Sequence, residues 1–206
     1  MLRPTPLPVL ALLLAASPAR ADVPARHVVA GVPPDDVLNV RAGPAASSAD
    51  IGDLVNGDAV EVIATDGGWG RIVHGEGNGW VSLAYLEPAP ASRVGESPIP
   101  VGLICAGTEP FWSLATDDGA SVAFSEPGPD GIAEDRARVE WAGAASGRSG
   151  FPAALRARSA DADYALVLRP AACSDGMSDR DYGWAAEVLA GERLLTGCCR
   201  LDTDTD

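Results

Sequence analysis

The chain has 206 residues, a formal net charge of −14 and 47% hydrophobic residues, with aromatics at only 5%. All 15 basic residues are Arg, and a surface this acidic repels phosphate backbones, so nucleic acid and anionic lipid are poor partners. No segment approaches the ~20 apolar residues of a membrane-crossing helix, so no transmembrane segment is expected.

The first residues read as an export signal. Arg3 supplies the positive start, Val9 to Ala16 is a short apolar core, and Ala19-Arg20-Ala21 is the small-x-small pattern of a cleavage site before Asp22. Pro4, Pro6 and Pro8 disfavour a buried helix here. No Cys follows the core at the cleavage position, so a lipid-anchored form is not expected. Residues 1–21 are assigned to a signal peptide, and the expected location is periplasmic or secreted. Removing them takes away Arg3 and Arg20 and leaves about −16 on the mature chain. The four Cys all follow residue 100, and an even count in an oxidising compartment favours disulfides over free thiols.

Next comes a run of short β signals. Val37 to Arg41 alternates and stops at Gly43-Pro44, and Ile51 to Leu54 follows a polar turn. Asp58 to Ile63 is broken by Asp66-Gly67-Gly68, while Trp69 to Val73 and Gly79 to Ser82 flank a glycine turn at 75–79. Five short strands with glycine turns predict a small all-β barrel. The motifs LNVRAGP, IGDLVNGDAVEV, GGWGRIV and GWVSLAYL, in that order over residues 28–87, resemble a bacterial SH3 domain. The resemblance implies a module that binds peptides or cell-wall components. Trp69 and Trp80 are the largest apolar anchors for so small a core. Trp80 is expected inside the barrel. Trp69, if partly exposed beside Tyr85, is a ligand platform. His74 is expected to be a solvated turn residue.

Residues 88–100, PAPASRVGESPIP, carry four prolines and no apolar period, which predicts a semi-rigid linker. Beyond it, strand signals run over 111–116, 120–124, 137–141, 155–158, 164–168, 182–189 and 193–197, with no helical repeat. Seven or eight antiparallel strands predict a second β-barrel or sandwich over residues 101–200, followed by an acidic tail at 201–206. The fold class is therefore all-β throughout.

Cys105 with Glu109-Pro110-Phe111-Trp112, then Cys173-Ser174-Asp175-Gly176-Met177-Ser178-Asp179, then Gly197-Cys198, resemble a family of exported Gram-negative envelope proteins without an established activity. Cys198 and Cys199 are strand neighbours, so they face opposite ways and need different partners. The resemblance associates Cys173 with Cys198, which implies Cys173–Cys198 and Cys105–Cys199. The swapped pairing and a vicinal Cys198–Cys199 bridge remain open. The implied bonds close loops of about 25 and 94 residues, each adding roughly 3–5 kcal/mol if unstrained.

The region offers little for catalysis. It holds neither His nor Lys, so neither a thiol nor Ser113, Ser174 or Ser178 has a base beside it in sequence. Asp175, Asp179 and Asp181 are spaced loosely like a calcium loop but lack its glycine and its closing Glu. No metal or cofactor is expected. Trp112 is expected in the core, with Glu109 a buried partner for an Arg such as Arg180. Trp69, Tyr85, Glu109, Asp175 and Arg180 form the candidate binding set. The resulting expectation is a non-catalytic binding protein whose partner is a cell-wall peptide or an envelope protein. The alternative is a cell-wall hydrolase, or an inhibitor of one, that uses the acidic loop; Glu109 with Asp175 or Asp179 is the carboxylate pair such chemistry would need.

Overall fold

The computed structural model describes residues 23–203. The expected signal peptide, 1–21, lies outside them, as do the last three residues of the expected tail. Strands dominate. Among the described residues the one helical element is a single 3-10 turn, Leu83–Tyr85, and no helix is long and apolar enough to cross a membrane.

The first module is a seven-stranded antiparallel sheet built from β1 (Ala25–Val29), β2 (Leu38–Arg41), β3 (Asp50–Leu54), β4 (Ala59–Asp66), β5 (Trp69–His74), β6 (Gly77–Ser82) and β7 (Leu86–Pro88). Their order is β3-β2-β6-β5-β4-β1-β7. Strands β2 to β6 are the five that alternation predicts. The other two were hidden because they are short and mixed: ARHVV and LEP carry no clean period. The core is wholly aliphatic, with Val29, Leu38, Val40, Val62, Ile72 and Val81 at its centre. Trp80 is not part of it. In β6 the inward positions are Gly79 and Val81, and period-two alternation turns Trp80 outward, in register with Arg41 and Arg71.

The second module consists of β8 (Leu103–Thr108), β9 (Phe111–Thr116), β10 (Ser121–Gly128), β11 (Gly131–Ala144), β12 (Ala153–Arg158), β13 (Asp163–Ser174), β14 (Asp181–Ala190) and β15 (Arg193–Leu201). It is a closed barrel, because β9 pairs with both β8 and β10 and no sheet edge remains. Its interior is aromatic as well as aliphatic. Trp112, Phe124, Tyr164 and Trp184 share it with Leu103, Leu114, Leu155 and Leu166. Trp112 is buried as expected. Gly107 makes its place, since a Cβ at that position would collide with the Trp112 indole.

Two boundaries read from sequence are corrected. Residues 88–100 are not a spacer. Arg93 bridges Pro100, Val94 N donates to Ile99 O at 2.9 Å, and Val94 and Ile99 are wholly buried in the barrel core. The segment is a plug: the prolines that suggested an extended chain frame two aliphatic residues that the barrel needs. Leu201 likewise belongs to β15 rather than to the tail. It pairs with Leu103 and is buried.

Both cystines form. Cys105–Cys199 and Cys173–Cys198 are bonded, and no free cysteine remains among the described residues. Adjacent Cys198 and Cys199 thus reach different partners from opposite faces of β15. Cys173 does not open a loop; a bulge after Pro170 lets β13 continue to Ser174, opposite Asp181.

Candidate functional site

Strand alternation builds a groove on the first module. In β5, Gly70 and Ile72 point inward and Trp69 outward, across from Ser82 of β6. The 3-10 turn that follows β6 brings Tyr85 alongside, 39% exposed. The segment before β2 adds Val32, Pro33, Asp36 and Val37, and the outward residues of β2 add Asn39 and Arg41. The result is a groove of about 310 Å³ in which Trp69 and Tyr85 both line the wall. Its polar rim is partly tied down. Asp36 Oδ1 accepts from Val37 N at 2.9 Å, Asn39 donates to Asp50, and Arg41 pairs with Asp50 at 3.7 Å. Aromatic faces with a few fixed polar groups suit an extended peptide: the rings cover apolar side chains and the rim takes amides.

The second candidate is a cleft of about 570 Å³ on the barrel, which brings Glu109 and Asp175 together beside the Cys173–Cys198 bond. The two carboxyl groups are not equivalent. Asp175 accepts from Met177 N, Ser178 N and the Ser178 hydroxyl, each at 2.9 Å, and from the Tyr182 hydroxyl at 3.1 Å. The N–H groups of Ser178 and Met177 hold its carboxyl down at about 2. It is a permanently ionised turn former with no proton to give. Its carbonyl accepts from Thr108 at 3.1 Å, tying the loop to β8. Arg169 and Glu187 close the cleft's rim through a two-pronged pair at 2.6 and 2.9 Å. Glu109 is exposed rather than buried.

Arg180 is not the partner of Glu109, which corrects that expectation. It donates to Gly75 O at 2.7 and 3.1 Å and pairs with Glu76 at 3.4 Å, joining the loop to the first module. The remaining acidic side chains of the loop also diverge, with Asp181 pairing to Arg71 and Asp179 exposed. Among the described residues no three His, Cys, Asp or Glu groups converge where they could hold a metal ion. His74 is not a solvated turn residue: it ends β5, is half-buried, and its Nε2 donates to Ile51 O at 3.3 Å.

Sequence reasoning missed two contacts between the modules, Glu61 with Trp184 and Asn78 with Asp181. Glu61 sits on the outer side of an ordinary amphipathic strand, and its partners lie 123 and 140 residues away. No local pattern reports such a contact.

A family model described as "Bacterial SH3 domain" matches residues 36–87. No match was found among curated proteins or among solved structures. The stretch of chain that carries the Trp69–Tyr85 groove is thus similar to a family of binding modules for peptides and proteins.

Proposed function

We propose that this is an exported binding protein of the bacterial cell envelope, whose first module holds a cell-wall peptide in the Trp69–Tyr85 groove and which catalyses nothing itself. The observation that carries the reading is the groove: two aromatic side chains left outside an aliphatic core, within the SH3-like segment. Export is supported by the signal-like residues 1–21, the two cystines and the resemblance of the second module's motifs to exported envelope proteins. Hydrolase chemistry has less support, because one of the two carboxyl groups in the barrel cleft is locked as an acceptor by four donors.

The test is co-sedimentation with purified peptidoglycan, comparing the parent protein with Trp69→Ala. Retention of the parent and loss of the variant is expected. Equal behaviour of the two, retained or not, would remove the groove from the account. Capture of an envelope protein in place of the glycopeptide would favour a protein partner.

A further inference from the structure

In β4 the inward residues are Val60 and Val62, so Glu61 and Ile63 face away from the module's own core. That face is not solvated. Gly183 of β14 packs directly on Pro24 and Ile63, and a Cβ at Gly183 would strike Pro24 and crowd Ile63. Glu61 is only 5% exposed. Its Oε1 accepts from the indole Nε1 of Trp184 at 2.7 Å and its Oε2 from Leu201 N at 3.0 Å. A carboxyl of one module is therefore coordinated by two donors of the other, one of them on a ring of the barrel core.

We infer that Glu61 is a proton-controlled latch between the two modules: protonation tightens their docking and ionisation loosens it. Undocked, the group would stand in water on the outer face of β4. Docked, desolvation pushes its carboxyl up from 4.5 to about 7, against the opposing pull of Leu201 N–H, the Trp184 indole and Arg200. The docked form thus holds its proton more tightly. This contribution to docking is complete below the solvated value of 4.5 and is lost as the pH rises through about 7. Linkage makes the change on the order of fifty-fold in the docking constant between pH 5 and pH 8.

The charged surroundings leave Glu61 as the element that responds. Arg26 of β1 lies opposite it in register, Arg200 follows in β15, and Arg180 lines the same cleft, which also contains Glu61 and Thr203. These guanidinium groups stay charged throughout. From β14, Asp181 is paired with Arg71 of β5, while Tyr182, raised by burial, stays neutral. Asp202 lies just past the latch, with its N–H on Gly102 O. His74 of β5 lines the cleft, and His27 of β1 is buried beside Arg26, in register with Val60. The contacts between Asn78 and Asp181, which run in both directions at 2.7 and 3.3 Å, and those of Arg180 with Gly75 set a baseline that does not need the proton.

The test is hydrogen exchange at the Leu201 amide and the Trp184 indole N–H in the full mature chain, corrected for intrinsic rates, at pH 5 and pH 8. Protection is expected to fall on the order of fifty-fold in the parent and to stay flat in Glu61→Gln. A carbon-13 titration of the Glu61 carboxyl in the parent protein gives a second readout that needs no variant, with a midpoint near 7 expected. A midpoint near 4.5, an unchanged response in Glu61→Gln, or a response abolished by His74→Gln would each overturn the latch.

Discussion

The two modules solve the stability problem in opposite ways, and the placement of aromatic side chains records the difference. The first has an aliphatic core without a cystine, and its Trp69, Trp80 and Tyr85 stand outside it. The second keeps Trp112, Phe124, Tyr164 and Trp184 within and ties its wall with two cystines. Aromatic rings carry the largest apolar area of any side chain. A small domain that leaves them outside gives up stabilisation and gains a surface for recognition; one that stacks them inside gains a rigid body. The groove on the first module and the self-satisfied loop on the second follow from that division.

The largest expected effect separates sulfur from packing as the source of barrel stability. Replacing Cys105 and Cys199 together with Ala removes a link across 94 residues. Loop entropy puts the loss at about 4–5 kcal/mol, seen as a drop of roughly 10–20 °C in Tm. A loss below about 1 kcal/mol would mean that the aromatic core alone holds the barrel. Next, Trp184→Phe keeps most of the ring but removes the indole donor to Glu61. We expect a cost of about 1–3 kcal/mol, larger at pH 8 than at pH 5 because the ionised carboxylate loses half its coordination. Chemical denaturation at the two pH values measures it. In the first module, Trp69→Ala should weaken binding to peptidoglycan by about tenfold or more while changing stability by less than about 1 kcal/mol, since the ring is outside the core. A large fall in Tm with it would make Trp69 a packing residue and erase the contrast. The smallest effect belongs to Asp175→Asn. Its depressed carboxyl contributes stability above the ordinary 3.8 that is lost as the pH falls through about 2. The side chain is solvent-accessible, so the difference between parent and variant should be under about 1 kcal/mol at pH 7 and should shrink in acid.

Much of this architecture was legible from residue order. Period-two runs such as Asp58 to Ile63 and Phe111 to Thr116 fall on β4 and β9. The adjacent Cys198 and Cys199 could not share a partner, and they do not. The groove was half visible: Trp69 and Tyr85 could be named, but the contribution of Val32, Pro33 and Asp36 depends on how the chain before β2 folds back. Three readings failed for one reason. Size alone puts Trp80 inside, charge alone matches Glu109 to Arg180, and composition alone makes 88–100 a spacer. Size, charge and composition say what a side chain can do, and register decides where it points.

By itself the sequence determined the all-β class, the order of most strands and the need for different cysteine partners, because alternation and turn residues act over a few positions. Tertiary structure alone decided that Val94 and Ile99 plug the barrel, that Arg180 reaches Gly75, and that Glu61 meets Trp184 and Leu201. Those contacts join residues more than a hundred positions apart or bury a segment against a barrel that closes after it. Only closing the barrel and docking the modules creates the dry surroundings in which one carboxyl becomes a latch.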